Sequence, residues 1–330
     1  MFDFIIKPIG AFFLWMYNTI AFHNYGLTII YFTVIVQLLM IPLVIKRNRS
    51  SLMLQKINPQ LQHLQKKYGN NPQKMQEEQQ KLYESIGYNP MSGCTPLFIQ
   101  LPIIMILWQV IGNPLQYVFN WSATAIQAAY DIINGAVEGL NLSASTAYSQ
   151  ISILLHREVL PAEFFAEYGV TGELFNMNFL GINLGRIPEW NPSTVFGNQW
   201  KIYLPLFLIA LFSAALSFFM NKITMKMTQP DQNGENKSNA AMNGCMSIYM
   251  PLISLWLAFK FPVGLSIYWM TSSVVSTILQ GIFMNVVKNQ EARNEIIRQQ
   301  EMELKKKIIE EQKRAREAEA ELNEGSQEDK

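Results

Sequence analysis

An all-α integral membrane protein is the fold class this sequence predicts, and three observations predict it. Only 15% of its 330 residues are charged while 49% are hydrophobic, against about 25% charged residues in an ordinary soluble domain. Several apolar runs approach the roughly 20 residues that a membrane-crossing helix needs. The charges are also segregated along the chain, so the net charge of +1 sums basic, acidic and balanced stretches that have different jobs.

Four runs have span length or nearly so: Leu27–Ile45, Pro96–Ile111, Ile202–Met220 and Leu265–Val287. A fifth, Met246–Phe259, is shorter and leads into Lys260-Phe261-Pro262-Val263-Gly264. Proline and glycine there mark a tight turn, so 246–287 reads as two spans in a hairpin. The expectation is therefore five spans, at 25–46, 93–113, 201–221 and in the hairpin 246–287. Charge orients them. Lys46–Pro90 holds eight Lys/Arg against three Glu, whereas Pro114–Gln199 holds two Arg against seven acidic residues. Lys and Arg collect on the cytoplasmic side, which places the first loop inside, the second outside, the N-terminus outside and the C-terminus in the cytoplasm.

The remaining segments follow. Phe4–Phe22 is apolar but interrupted by Lys7, Pro8 and Gly10, and Trp15 and Tyr17 favour an interface; residues 1–24 read as an amphipathic helix on the outer surface, with a span or signal anchor as the alternative. In 47–92, Leu54, Ile57, Leu61, Leu64 and Tyr68 form one stripe, and Met75, Gln79, Leu82 and Ile86 a second after Gly69-Asn70-Asn71-Pro72. Two helices in a cytoplasmic helical hairpin are expected, either a packed connector or a docking arm. The long extracytoplasmic segment 114–200 is expected to hold short helices at Ala123–Leu140 and Tyr148–Tyr168. A cytoplasmic loop occupies 222–245. The tail 288–330 carries ten basic and twelve acidic residues, with Glu301/Lys305 and Glu303/Lys307 at i,i+4; it reads as a solvated helix, too balanced to neutralise nucleic-acid phosphates.

Enzymatic chemistry is not expected. His23, His63 and His156 lie in separate segments, Cys94 and Cys245 stand alone, and neither a nucleophile triad nor a phosphate-binding glycine loop is visible. No cofactor, metal or DNA partner follows. What the sequence does carry is polar side chains at span depth: Thr33 and Gln37, Gln100 and Gln109, Ser213 and Ser217, Ser254, and then Ser266, Thr271, Ser272, Ser273, Ser276, Thr277 and Gln280. Polar groups in hydrocarbon must find partners or water. Singly they read as interhelical hydrogen bonds; as a set, with every span contributing, they read as a water-accessible groove.

Five stretches carry a family resemblance. They are Asn24–Ile30 leading to Met40-Ile41-Pro42-Leu43, then Tyr88-Asn89-Pro90, Gly93–Ile103, Phe179–Gly185 and Phe261–Trp269. In this order, with a charged hairpin between the first two spans, the chain resembles the YidC/Oxa/Alb insertase family, in its short form without a large extra extracytoplasmic domain. The resemblance implies a five-span insertase core in the bacterial cytoplasmic membrane, multi-pass, with an outer amphipathic helix. It implies a membrane protein insertase or chaperone that passes hydrophobic segments of nascent proteins into the bilayer through a hydrophilic groove, alone or with the Sec translocon. Nascent membrane proteins, the ribosome, the Sec translocon and the lipid bilayer are the implied partners. Thr33, Tyr268 and Trp269 are the groove and contact positions that carry over, and with the polar set they make the expected substrate groove: Thr33, Gln37, Gln100, Ser213, Ser217, Ser273, Ser276, Thr277, Tyr268 and Trp269. Many members place an arginine where this chain has Gln37, so the resemblance implies an uncharged groove here with a weaker preference for acidic flanks. A small-solute transporter or channel, and an assembly scaffold without insertion activity, are the rival readings.

Overall fold

The computed structural model describes residues 3–88, 95–145, 148–228 and 252–328, without the side chains of 95–101, 308 and 310–328. Asn89, Pro90, Cys94, Cys245 and most of the loop 222–245 lie outside the described residues. The chain divides into two units, Met1–Gly281 and Ile282–Lys330.

Within the first unit, α1 (Asp3–Thr19) buries Ile6, Gly10, Phe13, Met16 and Tyr17 and leaves Phe4, Phe12 and Trp15 exposed. That is a two-faced helix, as the spacing requires. Its polypeptide turns sharply at Phe22 and His23, both with positive φ, and Asn24 then caps α2 (Tyr25–Leu39) by accepting from the Leu27 amide at 3.0 Å. At Met40 the helix breaks and bends by 53° into α3 (Ile41–Tyr68). Pro42 supplies the cause: it has no amide hydrogen, and its ring clashes with the carbonyl four residues back. The sequence put the change from span to hairpin at 46–47; the axis changes direction before that. Helix α4 (Pro72–Ser85), capped by Asn71 through the Lys74 amide at 3.1 Å, packs against α3. On its exposed face the Lys81 ammonium lies 2.7 Å from Glu77 and holds that carboxyl below the usual carboxylate range.

Helix α5 (Thr95–Gly112) is followed by the short α6 (Pro114–Tyr117), α7 (Ala123–Ala136), α8 (Ser149–Leu155), a 3-10 turn at Arg157–Val159 and α9 (Ala162–Glu167). The expected single helix from Tyr148 to Tyr168 is thus three pieces. Pro161, in extended backbone and with no amide hydrogen to continue a helical ladder, precedes the last of them as its N-cap. A two-residue hairpin of β1 (Asn178–Phe179) and β2 (Ile182–Asn183) turns at Leu180 and Gly181, both with positive φ, as a tight hairpin of this kind demands. Then come α10 (Pro192–Val195), α11 (Trp200–Thr228), α12 (252–258) and α13 (Val263–Glu328).

The outer segment and α1 share one hydrophobic core. Phe175 sits at its centre, with ring centroids 5.8 Å from Phe13, 4.7 Å from Tyr17, 5.1 Å from Tyr25 and 4.7 Å from Phe119. Trp121, Tyr130, Ile133, Ile151 and Phe164 extend it, all nearly inaccessible. Tyr17 also accepts the Asn176 amide at 3.0 Å. The segment 114–200, expected from the sequence to hold short helices, is therefore a folded cap over α1, α2 and α5. The β1–β2 hairpin ties it to the start of α13: the amides of Val263 and Gly264 donate to Arg186 O and Leu184 O at 2.9 and 3.0 Å. Two of the stretches that carry the family resemblance thereby meet in space.

Glycine decides the docking of α1. A Cβ on Gly10 would lie 2.0 Å from the Tyr117 carbonyl oxygen, a backbone atom that has little freedom to move. Gly10→Ala is expected to push α1 off α6 at a cost of about 1–3 kcal/mol, the range of overpacking substitutions. Thermal unfolding in detergent checks it, and an unchanged midpoint would show that the contact is dispensable.

Among the described residues, two helices are long and apolar enough to cross a membrane, within Trp200–Thr228 and Val263–Lys307, or three if the bent pair Tyr25–Leu39 and Ile41–Tyr68 is one span. Pro102–Gly112 is a shorter apolar helix. The expected fourth span falls partly outside the described residues, with α12 its visible portion.

Candidate functional site: a polar cavity among the membrane helices

The apolar helices of the first unit meet along a line of hydroxyl and amide groups. α11 presents Ser213, Ser217 and Thr224, and α13 presents Ser266, Ser272, Ser273, Ser276, Thr277 and Gln280. Ser217 and Ser273 share a hydrogen bond of 3.1 Å, Thr224 and Thr277 one of 3.3 Å, and Ser213 donates to the Ser266 carbonyl at 3.4 Å. From α2, Gln37 Nε2 donates to Ser272 Oγ at 2.6 Å. Ser276 donates to its own helix, to Ser273 O at 3.2 Å. Ser213, Ser217, Thr224, Ser272, Ser273, Ser276, Thr277 and Gln37 are thus hydrogen-bonded, as a low-dielectric setting demands, while the buried Ser266 hydroxyl is left without a partner.

Where the helices diverge, they enclose a cavity of about 350 Å³. Ser217, Asn221 and Thr224 of α11, Trp269, Ser272, Ser273, Ser276 and Thr277 of α13, Ser254 of α12, Ile104 of α5 and Arg47 of α3 line it. Of the sequence-predicted residues, Ser217, Trp269, Ser273, Ser276 and Thr277 come together on this wall. Gln37 and Ser213 sit just behind it, buried and hydrogen-bonded between helices. Thr33 and Tyr268 are placed in the packed interior, 0% and 1% exposed, and do not line the cavity. Thr33 spends its hydroxyl on the Ile29 carbonyl at 2.6 Å. The side chain of Gln100 lies outside the described ones.

The expectation of a set without a cation needs correction. Arg47, counted by the sequence reading as the first residue of the cytoplasmic hairpin, lines the cavity. The bend at Met40 and the length of α3 carry it there. Its guanidinium donates to Gln280 Oε1, Gln280 Nε2 donates to Asn48 Oδ1, and Asn48 Nδ2 reaches the Gln280 carbonyl at 3.5 Å. Gln280 and Asn48 are both fully buried. All of these partners are neutral, Arg47 Nε has no partner at all, and no described residue lining the cavity is acidic. Below this triad Ser51 donates to the Thr228 carbonyl and Gln55 to that of Met227 at 3.4 Å, joining α3 to the end of α11.

Sequence reasoning also missed Asn221 and Thr224, because the apolar run ends at Met220 while the helix runs on to Thr228. Their spacing from Ser217, four and then three residues, puts all three on one helix face and was a usable signal. Nothing local to Arg47 distinguished it from its neighbours Lys46 and Arg49.

The sequence model of the 60Kd inner membrane protein family matches residues 15–295. Among relatives, the membrane protein insertase YidC of Endomicrobium trichonymphae is 27% identical over 262 residues, 79% of this chain and 36% of that protein. The protein of the same name from Treponema denticola is 25% identical over 262 residues, 79% and 34% of the two chains. The one from Clostridium perfringens is 49% identical over 87 residues, 26% and 37%. The chain thus spans little more than a third of the length of these relatives. The family match covers most of the sequence, includes the bend at Met40, the cap and every wall of the polar cavity, and leads to one conclusion: the chain belongs to the 60Kd inner membrane protein family, the YidC/Oxa family of inner membrane proteins.

Proposed function

We propose that this protein is a membrane protein insertase, and that the cavity among α3, α5, α11, α12 and α13 is where the polar flank of a nascent hydrophobic segment enters the membrane. The observation that carries the reading is a hydroxyl-lined cavity with one uncompensated cation, set among helices whose other faces are apolar. A polar flank crossing bare hydrocarbon loses its hydrogen bonds to water, at several kcal/mol per group. A wall of hydroxyls replaces those bonds over part of the path and shortens the dry stretch. Burial of the substrate's own apolar residues, at about 25 cal/mol per Å², then drives the step without a nucleotide. Five spans, with the N-terminus outside and the C-terminus in the cytoplasm, belong to this reading. So do the roles of Gln37, Ser213, Ser217, Ser273, Ser276, Thr277 and Trp269 as groove residues and of the α3–α4 hairpin as a docking arm for a ribosome or Sec partner.

The direct test is insertion of a short single-span substrate into liposomes containing only this protein, read as protease protection of the translocated flank. Protection above that of empty liposomes is the expected result. No protection by a folded, correctly oriented protein would favour the assembly-scaffold reading, which the large folded cap makes the next candidate. Ser273→Leu, which fills the cavity and removes the Ser217 bond, is expected to slow insertion roughly threefold while shifting stability by less than about 1 kcal/mol, a typical intramembrane hydrogen bond. An equal rate in the variant would show that substrate flanks do not use the cavity.

A further inference from the structure

A second cavity, of about 440 Å³, lies among α1, α6, α7 and α8 and shares no lining residue with the polar cavity described above. Its walls are amide-rich, with Asn113, Gln116, Asn120 and Gln150 facing Lys7 and Trp121. Lys7 is the one charged residue among the described lining residues.

Three features give this cavity an anion-binding character. First, Trp121 lines it, is only 3% exposed, and its indole N–H has no acceptor. An indole nitrogen only donates, and a buried donor without a partner is rare enough to require a reason. Second, Ser122 and Ala123 at the start of the 14-residue α7 line the cavity. The Ser122 hydroxyl takes the Ala125 amide at 3.1 Å, and the helix start retains its partial positive charge. Third, Gln150, 4% exposed, fixes the wall by accepting the Gln116 amide at 3.1 Å, so the site is built rather than a gap between mobile side chains. Donors and one ammonium converge on a wall whose described lining residues include no carboxylate; Asp3, one turn before Lys7 on α1, accepts from Tyr117, and Asp131 accepts from Gln127.

The surroundings identify the source of the anion. Helix α1 exposes Phe4, Phe12 and Trp15, an apolar and aromatic face of the kind that settles at the boundary between headgroups and acyl chains. By helical spacing, Lys7 projects from the flank between that face and the buried face of Ile6, Gly10 and Phe13. A cation held there stands at the level of lipid phosphates. We propose that this cavity binds the phosphate of an anionic phospholipid headgroup, with Lys7 as its counter-ion. The lipid thereby anchors α1 and the cap on the membrane surface, a role separate from insertion.

The test uses full-length protein reconstituted in phosphatidylcholine vesicles with and without phosphatidylglycerol, followed by native mass spectrometry of gently extracted protein. Retention of one phosphatidylglycerol per chain is expected, reduced at least fivefold in Lys7→Gln and in Gln116→Glu, which places a carboxylate in the wall. Both positions are exposed, so neither change disturbs the core, and circular dichroism confirms folding. A photoreactive phosphatidylglycerol is expected to label α1 or residues 113–127. Equal retention by the variants, equal retention of phosphatidylcholine, or labelling confined elsewhere would overturn the proposal. Displacement of the lipid by inorganic phosphate alone would make this a free-anion site and overturn the lipid assignment.

Discussion

Arg47→Gln is expected to reduce insertion of substrates with acidic flanks roughly tenfold relative to neutral ones, equivalent to about 1.4 kcal/mol, while leaving neutral flanks nearly unchanged. Arg47 is the cation on the described wall of the polar cavity, and every partner it has there is neutral. Two unit charges about 4 Å apart attract by roughly 4 kcal/mol at the effective dielectric of a protein surface, and desolvation of the incoming carboxylate returns part of that. Liposome insertion with paired substrates that differ only in flank charge reads the ratio directly. A parallel fall for both substrates would mean that Arg47 acts through the packing of α3, and no change would mean that acidic flanks take another route. The same geometry alters what Gln37 implies. A neutral Gln37 does not leave the cavity without charge, because a cation reaches it from ten residues further along the chain, past the bend at Met40.

Gln280→Leu is expected to destabilise the first unit by about 3 kcal/mol. The substitution removes the acceptor of a partly buried guanidinium and the donor to the fully buried Asn48 Oδ1, while the Asn48 Nδ2 bond to the main-chain carbonyl of residue 280 stays. Removing one member of a buried charged network costs about 3–5 kcal/mol, and the lower end applies because Arg47 keeps some contact with the cavity. Thermal unfolding in detergent should show a midpoint lower by several degrees, with Gln280→Glu recovering most of it by offering Arg47 a carboxylate. A Leu variant as stable as the parent would show that the triad is solvated rather than buried. A Glu variant no better than Leu would place the cost in the Asn48 bond.

The two substitutions separate functions that share one residue. If Arg47 serves both the triad with Gln280 and Asn48 and the cavity, Gln280→Glu should lock the guanidinium and blunt the preference for acidic flanks while preserving stability. Arg47→Gln should lose the preference even where the helices stay packed.

Much of this molecule is encoded locally. Uninterrupted hydrophobicity marks α11 and the start of α13, Asn24, Asn71 and Ser122 announce their helices, and Pro42 fixes the bend that divides α2 from α3. The hydroxyls of α11 and α13 were legible as polar faces because a period of 3.6 residues aligns them. Which face meets which was not. Gln37 finds Ser272 across 235 positions and Arg47 finds Gln280 across 233. Pairings of that span leave no periodic trace in either segment, since each side chain only needs a partner, not a particular one. For the same reason the packing of the outer segment was not legible beyond its short helices. Its aromatics follow no regular spacing, yet Phe119, Phe164 and Phe175 form one core with Phe13 and Tyr17 from the first helix. The sequence by itself determined that this chain belongs in a membrane, where its apolar helices run and that polar residues ride on them. The tertiary structure alone decided that those residues enclose a cavity with a cation in its wall, because burial selects contacts by shape and by hydrogen-bond satisfaction, and neither is written in any one stretch of chain.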